Sequence, residues 1–131
     1  MIRPLIAVVV LALAPQEIDH TKDTLDAVRA ALAKKEAVLV DVREKGEWDQ
    51  GHLDGALLVP LSWLKAESKG DKFAEHAAEK LPEKKVIYLH CRSGARVLPA
   101  AGLLKKLGYD VRPLKAGFDD LKDAGFPVAP K

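Results

Sequence analysis

The chain holds a single cysteine, Cys91, in the stretch YLHCRSGARVLPAA (88–101), between His90 and a short run of Arg92, Ser93, Gly94, Ala95 and Arg96. One cysteine cannot close an internal disulfide, so it is an inert buried thiol, an intermolecular partner or a reactive group. The residues around it bear on that choice. A strand that ends in cysteine, followed by a glycine-containing loop and the start of a helix, turns backbone N–H groups toward one centre and makes an anion cradle. With Arg92 and Arg96 close by, such a cradle favours thiolate over thiol, and the thiolate is the nucleophile. Gly94 is the position where the backbone can turn without a side chain crowding that centre. The chemistry expected is attack by an accessible Cys91 on an electrophile, with the loop stabilising negative charge on the transferred group.

The elements that must position this loop follow from the hydrophobic pattern. KVIYLH (85–90) reads as a buried strand delivering Cys91. Beyond the loop, Val97, Ala101, Leu104 and Leu107 form a helical stripe ending at Gly108, with Pro99 near the helix start, where a missing N–H costs little. AVLVDV (37–42) is nearly all apolar, as expected of a parallel strand covered on both faces. ALLVP (56–60) and YDVRPL (109–114) are further strands. Helices are expected over 24–34, capped by Asp23 or Thr24; over 72–81, capped by Asp71 and stopped by Pro82; and in FDDLKDAG near the end. REKGEWDQGHLDGA (43–56) reads as loop with one helical turn. Strands alternating with helices imply an α/β architecture with a parallel sheet, whose ligands bind beyond the carboxyl ends of the strands. DVRE (41–44) and CRSGAR (91–96) both fall there.

VLVDVREKGEWDQGHLDGALLVP, YLHCRSGARVLPAAGLLKKLGY and VRPLKAGFDDLKDAGFPV, in that order, resemble the signature, active-site and closing segments of a single rhodanese (sulfurtransferase) domain, from about residue 18 to 128. The resemblance implies a three-layer fold: a central parallel sheet of about five strands with helices on both faces. It implies that Cys91 accepts a sulfane sulfur as a persulfide and that the amides of residues 92–96 hold the outer sulfur. Arg96 would close the loop and, with Arg92, attract an anionic donor such as thiosulfate. Asp41 and Arg43 match the family's DxR pair, which either braces the loop or is a plain strand-end ion pair. Four residues separate Cys91 from Arg96. The related phosphatases and arsenate reductases have one more, which widens their loop for a tetrahedral oxyanion, so sulfur transfer is favoured over phosphoryl transfer. A non-catalytic or redox-sensing module of the same fold is the remaining alternative.

Composition excludes other classes. A net charge of +2 over 131 residues is too small for an electrostatic nucleic-acid binder. His20, His52, His76 and His90 lack the close pairing of a zinc site, so neither metal nor cofactor is expected. Trp48 and Trp63 read as packing anchors, and His90 should point to the sheet face opposite Cys91. The N-terminus is different in kind: Arg3, the apolar run LIAVVVLALA (5–14) and Ala12-Leu13-Ala14 follow the layout of a signal peptide. The run is too short to span a bilayer. The expectation is therefore an exported, periplasmic or secreted protein, with a signal at 1–14, one domain at 15–131, no stable membrane insertion and a monomeric state. A persulfide with no second cysteine beside it must be discharged to an outside acceptor, cyanide or a thiol.

Overall fold

The computed structural model describes residues 17–131, so the signal expected at 1–14 lies outside the described residues. Its elements in chain order are α1 (Leu25–Ala33), β1 (Ala37–Asp41), α2 (Lys45–Gln50), β2 (Leu57–Leu58), α3 (Leu61–Glu67), α4 (Phe73–Lys80), β3 (Val86–His90), α5 (Val97–Lys105), β4 (Val111–Pro113) and α6 (Phe118–Asp123). All four strands are parallel, in the order β2-β1-β3-β4. Asp41 is in register with both His90 and Leu58, so β1 and β3 end level with one another. Arg43 and Cys91 therefore leave the sheet at the same, carboxyl end.

Alternation along the buried strands divides the core in two. Val40, Val42, Ile87, Leu89 and Cys91 face one side and pack with Leu64 of α3, Phe73 and Ala77 of α4, and Val97, Ala101 and Leu104 of α5. Ala37, Leu39 and Tyr88 face the other, against Val28 of α1 and Leu121 of α6. The result is helix, sheet, helix in three layers, as expected.

The details differ from expectation where local chemistry overrides pattern. Among the described residues four strands form rather than about five. The extended segment 17–24 runs beside β4 but joins it through one backbone bond, Thr21 N–H to the Pro113 carbonyl at 2.8 Å. The N–H and C=O of one strand residue point the same way, so Pro113 turns an acceptor toward this strap and has no donor to return. Strand 56–60 shrinks to Leu57–Leu58 because Pro60 becomes the N-cap of α3, a helix absent from the sequence reading. The stretch after Arg43 forms a full helix, α2, closed by a capping box between Glu44 and Glu47. Thr24 caps α1, its hydroxyl accepting from the Ala27 N–H at 3.1 Å. Asp71 makes no cap; Lys72 occupies the N-cap of α4 without a side-chain bond. Among the described residues no helix is long and apolar enough to cross a membrane.

Candidate active site

Cys91 follows the last residue of β3, and the turn of the loop is set by Gly94, whose φ of +86° is left-handed. This geometry brings the Gly94 N–H to 3.1 Å from the Cys91 Sγ, a donor aimed at the sulfur as a cradle requires. The loop is wedged against the segment that follows β4. A methyl group on Gly94 would lie 2.6 Å from the Lys115 carbonyl oxygen, and one on Gly117 only 1.8 Å from that of Arg92. The Phe118 N–H then holds the Cys91 carbonyl at 2.9 Å. The expectation of an accessible thiol is corrected: Cys91 is fully buried, because the alternation of β3 turns its side chain under α5 rather than outward.

The two loop arginines are placed differently. Arg96, the N-cap of α5, donates from both terminal nitrogens to the Glu47 carboxylate of α2, at 2.6 and 2.9 Å. The guanidinium holds the Glu47 carboxyl down to about 2, and Glu47 in turn raises the Arg96 pKa. Arg96 thus ties the loop to α2, and its charge is largely spent on Glu47. Arg92 is exposed and, among the described residues, makes no ion pair. It lines a cleft with Arg43, Glu47, Gln50, Gly51, Phe118 and Asp119. Ser93 and Ala95 are both exposed on the remainder of the loop.

Asp41 and Arg43 form a buried pair, the Arg43 Nη2 donating to Asp41 at 2.9 Å and Nε to both carboxylate oxygens at 3.1 Å. The same Nη2 reaches the Gly51 carbonyl at 2.7 Å, and the guanidinium lies 4.4 Å above the Phe118 ring. Because Phe118 N–H grips the Cys91 carbonyl, the strand-end pair and the loop brace are one structure. His90 is buried on the opposite sheet face from Cys91, and burial lowers its pKa, so it stays neutral. Among the described residues its Nε2 has no hydrogen-bond partner, and it lies 3.7 Å from an Asp41 oxygen.

A protein-family model described as a rhodanese-like domain matches residues 24–124. The chain belongs to the rhodanese-like family. It is 31% identical over 94 residues to thiosulfate sulfurtransferase 18 of Arabidopsis thaliana, covering 68% of this chain and 69% of that one. It is 34% identical over 97 residues to the probable adenylyltransferase/sulfurtransferase MoeZ of Mycobacterium tuberculosis, covering 74% of this chain but only 20% of that relative's length. Among solved structures, the human single domain sulfurtransferase TSTD1 superposes with a TM-score of 0.63 at 29% identity, covering 76% of this chain and 92% of that one.

Within this rhodanese-like frame, sequence reasoning missed Glu47, Gly117 and Phe118. Glu47 looked like one more acid in a polar loop; only the helix it opens carries it to Arg96. Gly117 carried no turn signature, since its φ is −91° and its need is for space alone. Trp48 stacks on His52, ring centroids 3.7 Å apart, and Trp63 packs half-buried against the core under Lys80.

Proposed function

We propose that the protein is a sulfurtransferase acting through a persulfide on Cys91. The thiolate attacks the outer sulfur of an anionic sulfane donor such as thiosulfate. The Sγ–S bond forms as the donor's S–S bond breaks, and sulfite departs with the electron pair. The outer sulfur then carries the negative charge, against the loop amides. In the second step cyanide or a thiolate attacks that sulfur, leaving as thiocyanate or a new persulfide and restoring the Cys91 thiolate. No cofactor enters either step. The observation that carries this reading is the Gly94 N–H aimed at Sγ at 3.1 Å inside a loop with four residues between cysteine and arginine. Capture of Arg96 by Glu47 further disfavours phosphoryl transfer, which needs positive charge presented to the anion rather than to a carboxylate. Exposed Arg92 remains to meet the incoming donor.

Incubation with thiosulfate alone should add about 32 Da to the intact mass, one sulfur, and cyanide should remove it as thiocyanate. Cys91→Ser should abolish both. A wild type that takes up no sulfur from any sulfane donor, yet hydrolyses an aryl phosphate through Cys91, would overturn the reading. We propose further that residues 1–14 direct export and that the mature monomer works outside the cytoplasm. N-terminal sequencing of protein from its host tests this; intact Met1 in the cytosolic fraction counts against it.

A further inference from the structure

The strap 17–24 lies almost wholly before the residues matched by the family model, yet it reaches the loop. His20 Nε2 is 2.6 Å from the Gly94 carbonyl oxygen, 74 residues away in sequence. Because a carbonyl only accepts, Nε2 carries the hydrogen. The strap is pinned on both sides of this contact. Ile18 packs against the core under α5, Thr21 N–H bonds to Pro113, and Asp23 accepts from the Tyr88 hydroxyl at 2.7 Å and from Arg112 at 2.8 Å. The strap thus crosses the sheet edge from one face to the other with His20 held against the loop.

We infer that His20 is a positioning residue for the Cys91 loop: by fixing the Gly94 carbonyl from outside, it turns the Ala95 N–H of the same peptide inward as a second cradle donor. The peptide is trans, so its C=O and N–H point in opposite directions. The Gly94 N–H, one peptide earlier, already meets Sγ. At φ +86° a glycine has wide backbone freedom, and an outside anchor on its carbonyl removes it. This inference rests on the sulfurtransferase reading, in which the loop amides hold the outer sulfur.

The test compares full-length wild type, His20→Leu and His20→Gln, the glutamine amide being able to replace the Nε2 donor. Single-turnover loading from thiosulfate should slow roughly five- to tenfold in His20→Leu, as for loss of one hydrogen bond. Half-saturation should stay within about twofold, since no anion-binding group is touched, and His20→Gln should lie within about twofold of wild type. Hydrogen exchange in the peptide spanning 92–96 should quicken in His20→Leu only. Val28→Ala, a core truncation in α1, controls for general loss of stability and should load at the wild-type rate. Loading in His20→Leu equal to wild type, a His20→Gln as slow as His20→Leu, or equal slowing in Val28→Ala would overturn the inference. If the wild type itself takes up no sulfur, the sulfurtransferase reading fails, and unchanged loop exchange in His20→Leu then overturns the His20 role separately.

Discussion

Glu47 and Arg96 join the loop to α2 through two short hydrogen bonds, and their titration should be visible in the stability of the fold. Folding lowers the Glu47 carboxyl from 4.5 to about 2, so the stability it contributes is fully present above pH 4.5 and is lost as pH falls toward 2. The pair is about one-third solvent-facing, at 31% for each side chain, so screening reduces its worth to about 0.5–1 kcal/mol. Glu47→Gln should lower the stability measured by urea unfolding at pH 7 by that amount and flatten the pH dependence between 4.5 and 2. His90 acts in a separate window. Burial depresses its pKa, so the unfolded chain binds a proton from about pH 6.5 downward that the folded chain refuses, and stability falls as pH drops below 6.5. His76, raised by Glu67 on the surface, works in the opposite sense. Comparing wild type with His90→Asn cancels that contribution, and the variant should lose less stability between pH 6.5 and 5. Equal slopes for the two proteins would show that His90 is protonated in the fold.

At the scale of elements, long apolar patterns were legible and tertiary contacts were not. β1, β3, α1 and α5 followed from runs such as AVLVDV and from stripes at helical spacing, since buried strands and core-facing helices write their environment into sequence. α3 was invisible because Leu61, Trp63 and Leu64 offer too short a stripe behind Pro60, and its start is set by Leu61 N–H bonding to the Val42 carbonyl across the sheet edge. The site divides the same way. Cys91 and Gly94 announced themselves by residue type, and Asp41 and Arg43 through the family resemblance. Glu47 and Gly117 matter only through what lies opposite them in space. Gly117→Ala tests the second kind. Its new methyl would fall 1.8 Å from the Arg92 carbonyl, backbone against backbone, so the loop or the start of α6 must move. Overpacking of this sort costs about 1–3 kcal/mol. Sulfur loading should fall roughly tenfold or more, because an ångström of displacement disturbs the cradle. Loading at the wild-type rate, with an unchanged thermal midpoint, would mean that the two segments are not in such contact.

In the molecule as a whole the candidate site lies at the carboxyl ends of β1 and β3, and the Asp41–Arg43 pair is what both halves of it share. Asp41 closes β1, faces His90 across the ladder and holds Arg43; Arg43 reaches Gly51 after α2 and covers Phe118 at the head of α6. Both side chains are almost wholly buried, at 0% and 6% exposure. In a domain whose total stability is of order 5–15 kcal/mol, a charge left alone there is a large loss. Asp41→Leu should therefore cost about 3–5 kcal/mol, since it strands the guanidinium, while Arg43→Met strands the carboxylate at similar cost. The double variant removes both desolvated charges and should be more stable than either single one. It should nevertheless load sulfur slowly, because Phe118, whose N–H holds the Cys91 carbonyl, loses the guanidinium stacked on its ring. Urea midpoints for the four proteins give the coupling directly. If the double variant's loss equals the sum of the single losses, the pair is not coupled, and the brace would have to run through packing against Phe118 alone.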